Sequence, residues 1–192
     1  MSNRVITISR EFGSGGRTIG KMVAEKLGIP CYDAELIERI AQKSGYTSEY
    51  IQKEEEGSAN GWFSNVFTNR SMGLTNQDRI WESQSEAIIQ LAENGPCVIV
   101  GRCADYVLQN KADCLNVFIH ASLEKRAERI VREYGEREES PEKRIREKDK
   151  RRAAYHRFYT DMKWGDAKNY DLCLNSGELG IGKSAELIAQ LY

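Results

Sequence analysis

The run Val5-Ile-Thr-Ile-Ser9 passes through Gly13-Ser-Gly-Gly16 straight into a helical pattern. A short β-branched run of this kind is a buried strand. From Arg17 to Leu27 the apolar residues Ile19, Met22, Val23 and Leu27 fall on one helix face. A strand that feeds a helix through a tight glycine turn is the opening unit of an α/β fold. The unit recurs along the chain. Gly28 and Pro30 end the first helix, and Ile29 to Tyr32 is a brief second strand. Asp33 can cap a following helix whose apolar face is Leu36, Ile37 and Ile40, with Gly45 as its stop. Arg79 to Asn94 reads as a helix closed by Gly95-Pro96. Cys97 to Gly101 and Leu115 to His120 are the third and fourth strands. Ser122 caps a charged helix reaching Gly135, and Pro141 to Tyr159 is a second one, rich in arginine. Tyr170 to Asn175 is a fifth strand and Lys183 to Leu191 a last helix. Strands alternating with helices predict a parallel sheet covered on both faces.

A chain of 192 residues suits one domain spanning 1–192. The least regular stretch, Thr47 to Asp78, reads as an insertion with some helix. A loop this long in a compact domain is often a functional lid. Its aromatics Trp62, Phe63 and Phe67 suit a ligand cover and an interface equally. With 28 Lys plus Arg against 29 Asp plus Glu, the net charge gives no global case for nucleic acid. Five cysteines without a CxxC pair, and two histidines, argue against a zinc site. Cys31, Cys97 and Cys173 fall in strands and read as reduced core thiols. There is no apolar leader and no run able to span a membrane. The expected setting is soluble and cytoplasmic.

The loop carries the chemistry. Glycines let the backbone turn tightly and aim N–H groups at an anion, and the helix that follows adds the positive end of its dipole. Gly13, Ser14, Gly15, Gly16, Arg17 and Thr18 are therefore candidates to hold phosphate. A tight strand-to-helix connection with no ligand is the plain alternative. Against the pattern GxxxxGK[ST], Gly16 stands at the lysine position and Arg10 at the first glycine. Arg17 or Arg10 could supply the missing charge, with bidentate guanidinium geometry in place of an ammonium.

Several segments together resemble the cytidylate kinase-like family of P-loop nucleoside monophosphate kinases. They are Ile6-Thr-Ile-Ser-Arg-Glu-Phe-Gly-Ser-Gly-Gly-Arg17, Leu27-Gly-Ile-Pro-Cys-Tyr-Asp33, Val100-Gly-Arg102, Asp149-Lys-Arg-Arg152 and Asn169-Tyr-Asp-Leu172. The resemblance covers nearly the whole chain. It implies a three-layer P-loop kinase fold on a five-stranded parallel sheet, with a helical insertion on the acceptor side (47–78) and an arginine-rich lid (136–160). It implies transfer of the ATP γ-phosphate, with Mg²⁺, to a nucleotide such as CMP or dCMP. Carried over by position, Asp33 matches a pyrimidine-nucleotide contact, and Arg39 and Arg102 match acceptor-monophosphate arginines. Cys103 stands where the family has an aspartate. Arg126, Arg129, Arg146, Arg151 and Arg152 match lid and phosphate-clamping arginines, and Asp149 the lid's acidic residue. Nucleotides are the implied partners, with a homo-oligomer an open alternative and no dedicated metal-ligand set.

Simpler roles remain for single residues. Asp33 could be only a helix cap, Arg39 a surface residue, and the helix around Arg137 to Arg157 a solvated, salt-bridged one. His120 and His156 have no partner in the sequence that marks a base or ligand. Cys103 has no neighbour that marks a reactive thiol. Trp81, Trp164, Tyr155 and Tyr159 suit core or interface positions. A glycine in the lysine position also suits a nucleotide-binding regulator without turnover. The insertion suits a kinase acting on another small metabolite.

Overall fold

A computed structural model describes residues 4–33 and 76–192 of the chain, with the backbone alone described at Asn76, Gln77 and Arg79. The helix expected after Asp33, Arg39 within it, and residues 47–75 lie outside the described residues.

Twelve described elements follow in order. Strand β1 (Arg4–Arg10) leads to α1 (Gly16–Leu27) and β2 (Cys31–Tyr32). Helix α2 (Asn76–Glu93), β3 (Cys97–Val100), α3 (Ala104–Val107) and β4 (Asp113–His120) come next. Helices α4 (Leu123–Tyr134) and α5 (Pro141–Thr160) precede a 3₁₀ turn (Ala167–Asn169), β5 (Leu172–Asn175) and α6 (Ser176–Gln190). The five strands form one sheet in the order β2-β3-β1-β4-β5. Every pairing is parallel. The central strand is β1, where Val5 lies between Cys97 and Cys114, and Ile8 between Val100 and Val117.

Alternation along the strands sorts the core into two layers. Ile6, Ile8, Val98 and Val100 face α1 and α6, meeting Ile19, Val23, Ala185 and Ile188. Val5, Cys97 and Ile99 face α2 and α3, meeting Ile88, Leu91, Val107 and Leu108. Each fully buried isoleucine, such as Ile6, Ile19 or Ile88, contributes roughly 1.5–3 kcal/mol by leaving water. A smaller cluster of Ala127, Ile130 and Ile145 joins α4 to α5 beside Phe12.

Three boundaries differ from the sequence reading. Helix α2 begins at Asn76, so the end of the 47–78 stretch is already helical. Strand β4 starts at Asp113, two residues early, because it pairs with β1 from Arg4 onward. Helix α6 starts at Ser176 rather than Lys183. Asn175 caps it by accepting from the Gly177 N–H at 3.1 Å. Gly180, at φ 75° and ψ 164°, then breaks the helical path. That break hid the first turn from a helix-period search.

The cysteines are free thiols, but they are not all in the core. Cys97 is buried, Cys31 half-buried, and Cys173 exposed. Burial raises the Cys97 thiol to about 12 and the Cys114 thiol to about 11. A thiolate is the reactive form. At pH 8, Cys173 is therefore expected to take up a maleimide label first. Cys97 should react only at the rate of global unfolding, read by mass spectrometry of tryptic peptides.

Candidate functional site

The turn between β1 and α1 is shaped by two left-handed glycines, Gly13 and Gly15, each at φ 81°. Space and backbone both demand glycine there. A Cβ at Gly13 would lie 2.9 Å from Ile130 Cγ2 and 3.0 Å from the Arg126 carbonyl oxygen. A Cβ at Gly15 would lie 2.3 Å from Ile181 Cδ1. The loop is therefore sandwiched between α4 and the start of α6. Ser14 is buried, and its hydroxyl donates to the Glu11 carbonyl at 2.9 Å. Ser176 Oγ donates to the Ser14 carbonyl at 2.6 Å, so α6 fastens the loop from the other side. Among the described residues, no acceptor meets the N–H groups of Gly15, Gly16 and Arg17. A helix N-terminus with converging N–H groups of this kind is able to receive an anion.

Arg10 and Arg17 take different paths. Arg17 reaches sideways, its Nε 2.7 Å from Asp33 Oδ2 at the end of β2. Arg10 crosses the front of the loop. A Cβ added at Gly16 would lie 2.5 Å from Arg10 Cβ, and one added at Gly101 would lie 1.9 Å from Arg10 Nη1. The Arg10 side chain thus fills the space a side chain at position 16 would leave by, and its guanidinium rests on Gly101 past the end of β3. Both glycines make room for it. Arg152 Nη1 donates to the Arg10 carbonyl at 3.1 Å and so steadies its backbone.

The arginines of α4 and α5 divide by role. Arg126, 8% exposed, pairs with Glu11 at 3.4 Å and with Asp149, and donates to the Phe12 carbonyl at 3.2 Å. Asp149 Oδ1 in turn accepts the Phe12 N–H at 2.7 Å, and Glu11 Oε2 accepts the Ala121 N–H at 3.1 Å. Four segments meet in this knot. Arg126 and Asp149 are spent on fixing the loop. The Phe12 ring lies 6.0 Å from the Arg144 guanidinium and 5.6 Å from both Lys148 Nζ and Arg152 Cζ. Such contacts are weakly attractive. Arg144, Ile145, His156 and Thr160 are buried, so α5 is a docked helix and the reading of it as merely solvated is wrong. Arg129 lies over Gly15, with its Nη2 3.3 Å from Thr18 Oγ1. Arg146 is exposed and Arg151 half-buried.

Past β3 the chain takes three consecutive left-handed residues: Gly101, Arg102 and Cys103, at φ 83°, 60° and 53°. Cys103 is buried, which fits its reading as an inert thiol. Asp105 follows, and its Oδ2 lies 3.6 Å from His156 Nε2 with both side chains buried. His156 therefore has an acidic partner, which the sequence did not disclose. Its Nδ1 faces the Met162 carbonyl at 3.3 Å. Nδ1 also lies 3.1 Å from Thr160 Oγ1. Burial, followed by the nearby Asp105 charge, pushes the Tyr170 phenol above its ordinary range.

The sequence missed Glu11, Gln84 and the Asp105–His156 pair. Gln84 falls in step with Ile80, Ala87, Ile88 and Leu91 on the buried face of α2, but each of the missed residues gains its meaning from a partner on another element.

A divalent ion fits this site only as a companion of bound phosphates. Among the described residues no three His, Cys, Asp or Glu side chains gather to hold a metal. Glu11 and Asp149 are engaged by Arg126, and Thr18 Oγ1 accepts from Arg129. Mg²⁺ commonly keeps several waters and takes its remaining ligands from substrate phosphates.

A β2-β3-β1-β4-β5 parallel sheet with a glycine turn between its central strand and the first helix is the P-loop kinase fold. The cytidylate kinase-like family matches residues 5–178, and the chain belongs to that family. The cytidylate kinase of Archaeoglobus fulgidus is 32% identical, the alignment covering 95% of this chain and 91% of the relative. That of Pyrococcus horikoshii is 30% identical over 91% of this chain and 80% of its own. A solved protein of uncharacterized function from Eubacterium ventriosum superposes with a TM-score of 0.73 at 28% identity, covering 97% of this chain and 96% of that one. Shikimate kinase from Acinetobacter baumannii shares the fold, with a TM-score of 0.53 at 16% identity over 98% and 92% of the two chains. Family and fold together support a nucleotide kinase. No described helix is long and apolar enough to cross a membrane.

Proposed function

We propose that the protein transfers the γ-phosphoryl group of ATP to a nucleoside monophosphate, with CMP or dCMP as the first acceptors to test. The observation that carries this reading is the path of Arg10. It leaves the phosphate loop, passes over Gly16, and sets its guanidinium on Gly101, next to Arg102. A cation placed between the donor loop and the acceptor turn is what phosphoryl transfer needs, because the protein's work is positioning and charge stabilisation.

In this scheme the loop from Gly13 to Thr18 holds the donor phosphates, chiefly through the N–H groups of Gly15, Gly16 and Arg17. Mg²⁺, held mainly by the phosphates themselves, would supply charge neutralisation there. Arg102 and Arg39 bind the acceptor phosphate, and Asp33, paired with Arg17, borders the base. A phosphate oxygen of the acceptor attacks the γ-phosphorus. The bond to the ADP oxygen breaks, and the nucleoside diphosphate and ADP leave. The acceptor phosphate is largely dianionic at neutral pH, so no general base is required. Arg10 stabilises the charge on the migrating group. Arg146, Arg151 and Arg152 add charge from α5 and its surroundings, residues 136–160 acting as the lid and residues 47–78 as the acceptor-side insertion of one domain. The setting proposed is cytoplasmic.

Coupled turnover with ATP, Mg²⁺ and a panel of monophosphates tests the scheme. The expected result is CMP- or dCMP-dependent ADP release. Absence of transfer to every monophosphate sinks it. The glycine at position 16 favours one other reading, a nucleotide-binding regulator. It predicts a ligand-dependent rise in thermal stability without turnover.

A further inference from the structure

Three successive left-handed residues at the end of β3 include two that are not glycine, Arg102 and Cys103. A non-glycine residue in this region carries about 1–2 kcal/mol of strain. Such a conformation persists only where its surroundings enforce it. Two ties do so. Gln84 of α2 is fully buried, and its amide Nε2 donates to the Arg102 carbonyl at 2.8 Å. The other end of that amide, Oε1, accepts the Tyr155 hydroxyl of α5 at 3.0 Å. The neighbouring residue on α5, His156, faces Asp105 across 3.6 Å. Two adjacent residues of one helix thus reach the same turn, one directly and one through a buried amide.

One or two turns earlier, the same helix holds the phosphate loop. Asp149 takes the Phe12 N–H, and Arg152 donates to the Arg10 carbonyl. Helix α5 therefore grips the donor loop with its middle and the Arg102 turn with its C-terminal third. A helix is stiff over this length, so the two grips fix the spacing between the two sites.

We infer that α5 is the strut setting the acceptor arginine against the donor loop, and that Gln84 and Tyr155 are positioning residues acting through Arg102. The inference rests on the proposed transfer to a monophosphate and extends it to residues that touch neither nucleotide. Their chemistry is suited to the task. The glutamine amide can donate to a carbonyl and accept from a hydroxyl at once, which neither a carboxylate nor an apolar side chain of similar size can do. Trp81, stacked on Tyr159 at 4.2 Å between ring centroids, packs the same junction without polar direction.

The test is Tyr155→Phe, which removes one hydroxyl and keeps the ring packing, with Gln84→Glu as the second variant. Hydrogen exchange by mass spectrometry reads the turn whether or not the chain turns over. Faster exchange is expected in the peptide spanning residues 101–107, with the β4 peptide unchanged. In turnover, the KM for the monophosphate should rise about five- to tenfold, the loss of one hydrogen bond, with KM for ATP within about twofold. A double-mutant cycle supplies the reading that mere destabilisation would not move. In an Arg102→Lys background, Tyr155→Phe should add little further loss in kcat/KM, because both changes act on one group. Unchanged exchange at residues 101–107 overturns the strut. Normal exchange elsewhere with an unchanged acceptor KM, or strict additivity in the cycle, overturns the positioning role. If the wild-type chain phosphorylates no monophosphate, the proposed function fails instead, and the exchange data still decide whether the strut holds the turn.

Discussion

Replacing Arg10 by alanine is expected to lower kcat by about 10²–10³-fold while leaving the fold intact, the range found when one preorganised charge-stabilising donor is removed. Arg17→Ala should do far less, because Arg17 is tied to Asp33 beside β2. The sharper experiment exchanges the two positions. Gly16→Lys alone should be poorly tolerated, since its Cβ would lie 2.5 Å from Arg10 Cβ and 2.8 Å from Arg10 Cγ. Arg10→Gly together with Gly16→Lys removes that conflict and returns a cation to the usual lysine position. This double variant should regain at least tenfold in turnover over Arg10→Ala, on the order of the 1.4 kcal/mol that corresponds to that factor. Full activity in Arg10→Ala would remove Arg10 from the mechanism. No recovery in the exchange would show that the loop cannot use an ammonium from position 16.

Replacing Arg126 by methionine has the largest expected effect on stability. The side chain is 9% exposed, and its guanidinium serves Glu11, Asp149 and the Phe12 carbonyl together. Removing it leaves two carboxylates at the root of the loop without the cation they share. Breaking a buried pair in this way costs about 3–5 kcal/mol, and the lower end applies because both carboxylates keep some contact with water. For a chain of this size the melting temperature should fall by roughly 6–12 °C. Urea denaturation would measure the loss directly. Pairing Arg126→Met with Asp149→Asn should restore part of it, because one uncompensated charge is gone. A melting temperature within about 2 °C of wild type would mean that the knot is held by water or by α5 packing and not by the guanidinium.

The fold was readable because its elements announce themselves locally. Val5 to Ser9, Cys97 to Gly101 and Leu115 to His120 are dense apolar runs bounded by turn residues, and buried parallel strands look like that from any direction along the chain. Ser122 marks a helix start by its chemistry, and it accepts from the N–H three residues on, at 3.3 Å. Gly180 shows where this fails. A helix interrupted by one left-handed residue loses its period, and the first turn of α6 went unseen. The glycine turn of the candidate site was legible, because the left-handed backbone at Gly13 and Gly15 needs glycine. Which arginines are buried in ion pairs was not. Arg126 and Arg129 lie one helical turn apart with the same side chain, yet one is buried under Glu11 and Asp149 while the other crosses Gly15. Sequence spacing records neither the carboxylate opposite a side chain nor the length of its reach. His156 was read as partnerless for the same reason, since Asp105 lies on a different element.

The anchoring of the glycine loop bears on when the protein becomes competent during synthesis. The loop is made first, but its N–H at Phe12 waits for Asp149, 137 residues later, and its Ser14 carbonyl for Ser176, 162 residues later. Its parent strand cannot complete its pairings before β3 and β4 exist. Long-range closures of this kind slow folding and come late. A nascent chain therefore carries a correctly sequenced but unshaped phosphate loop through nearly its whole elongation. On the proposed function, bound ATP would stabilise only the finished molecule and give no help to partial chains.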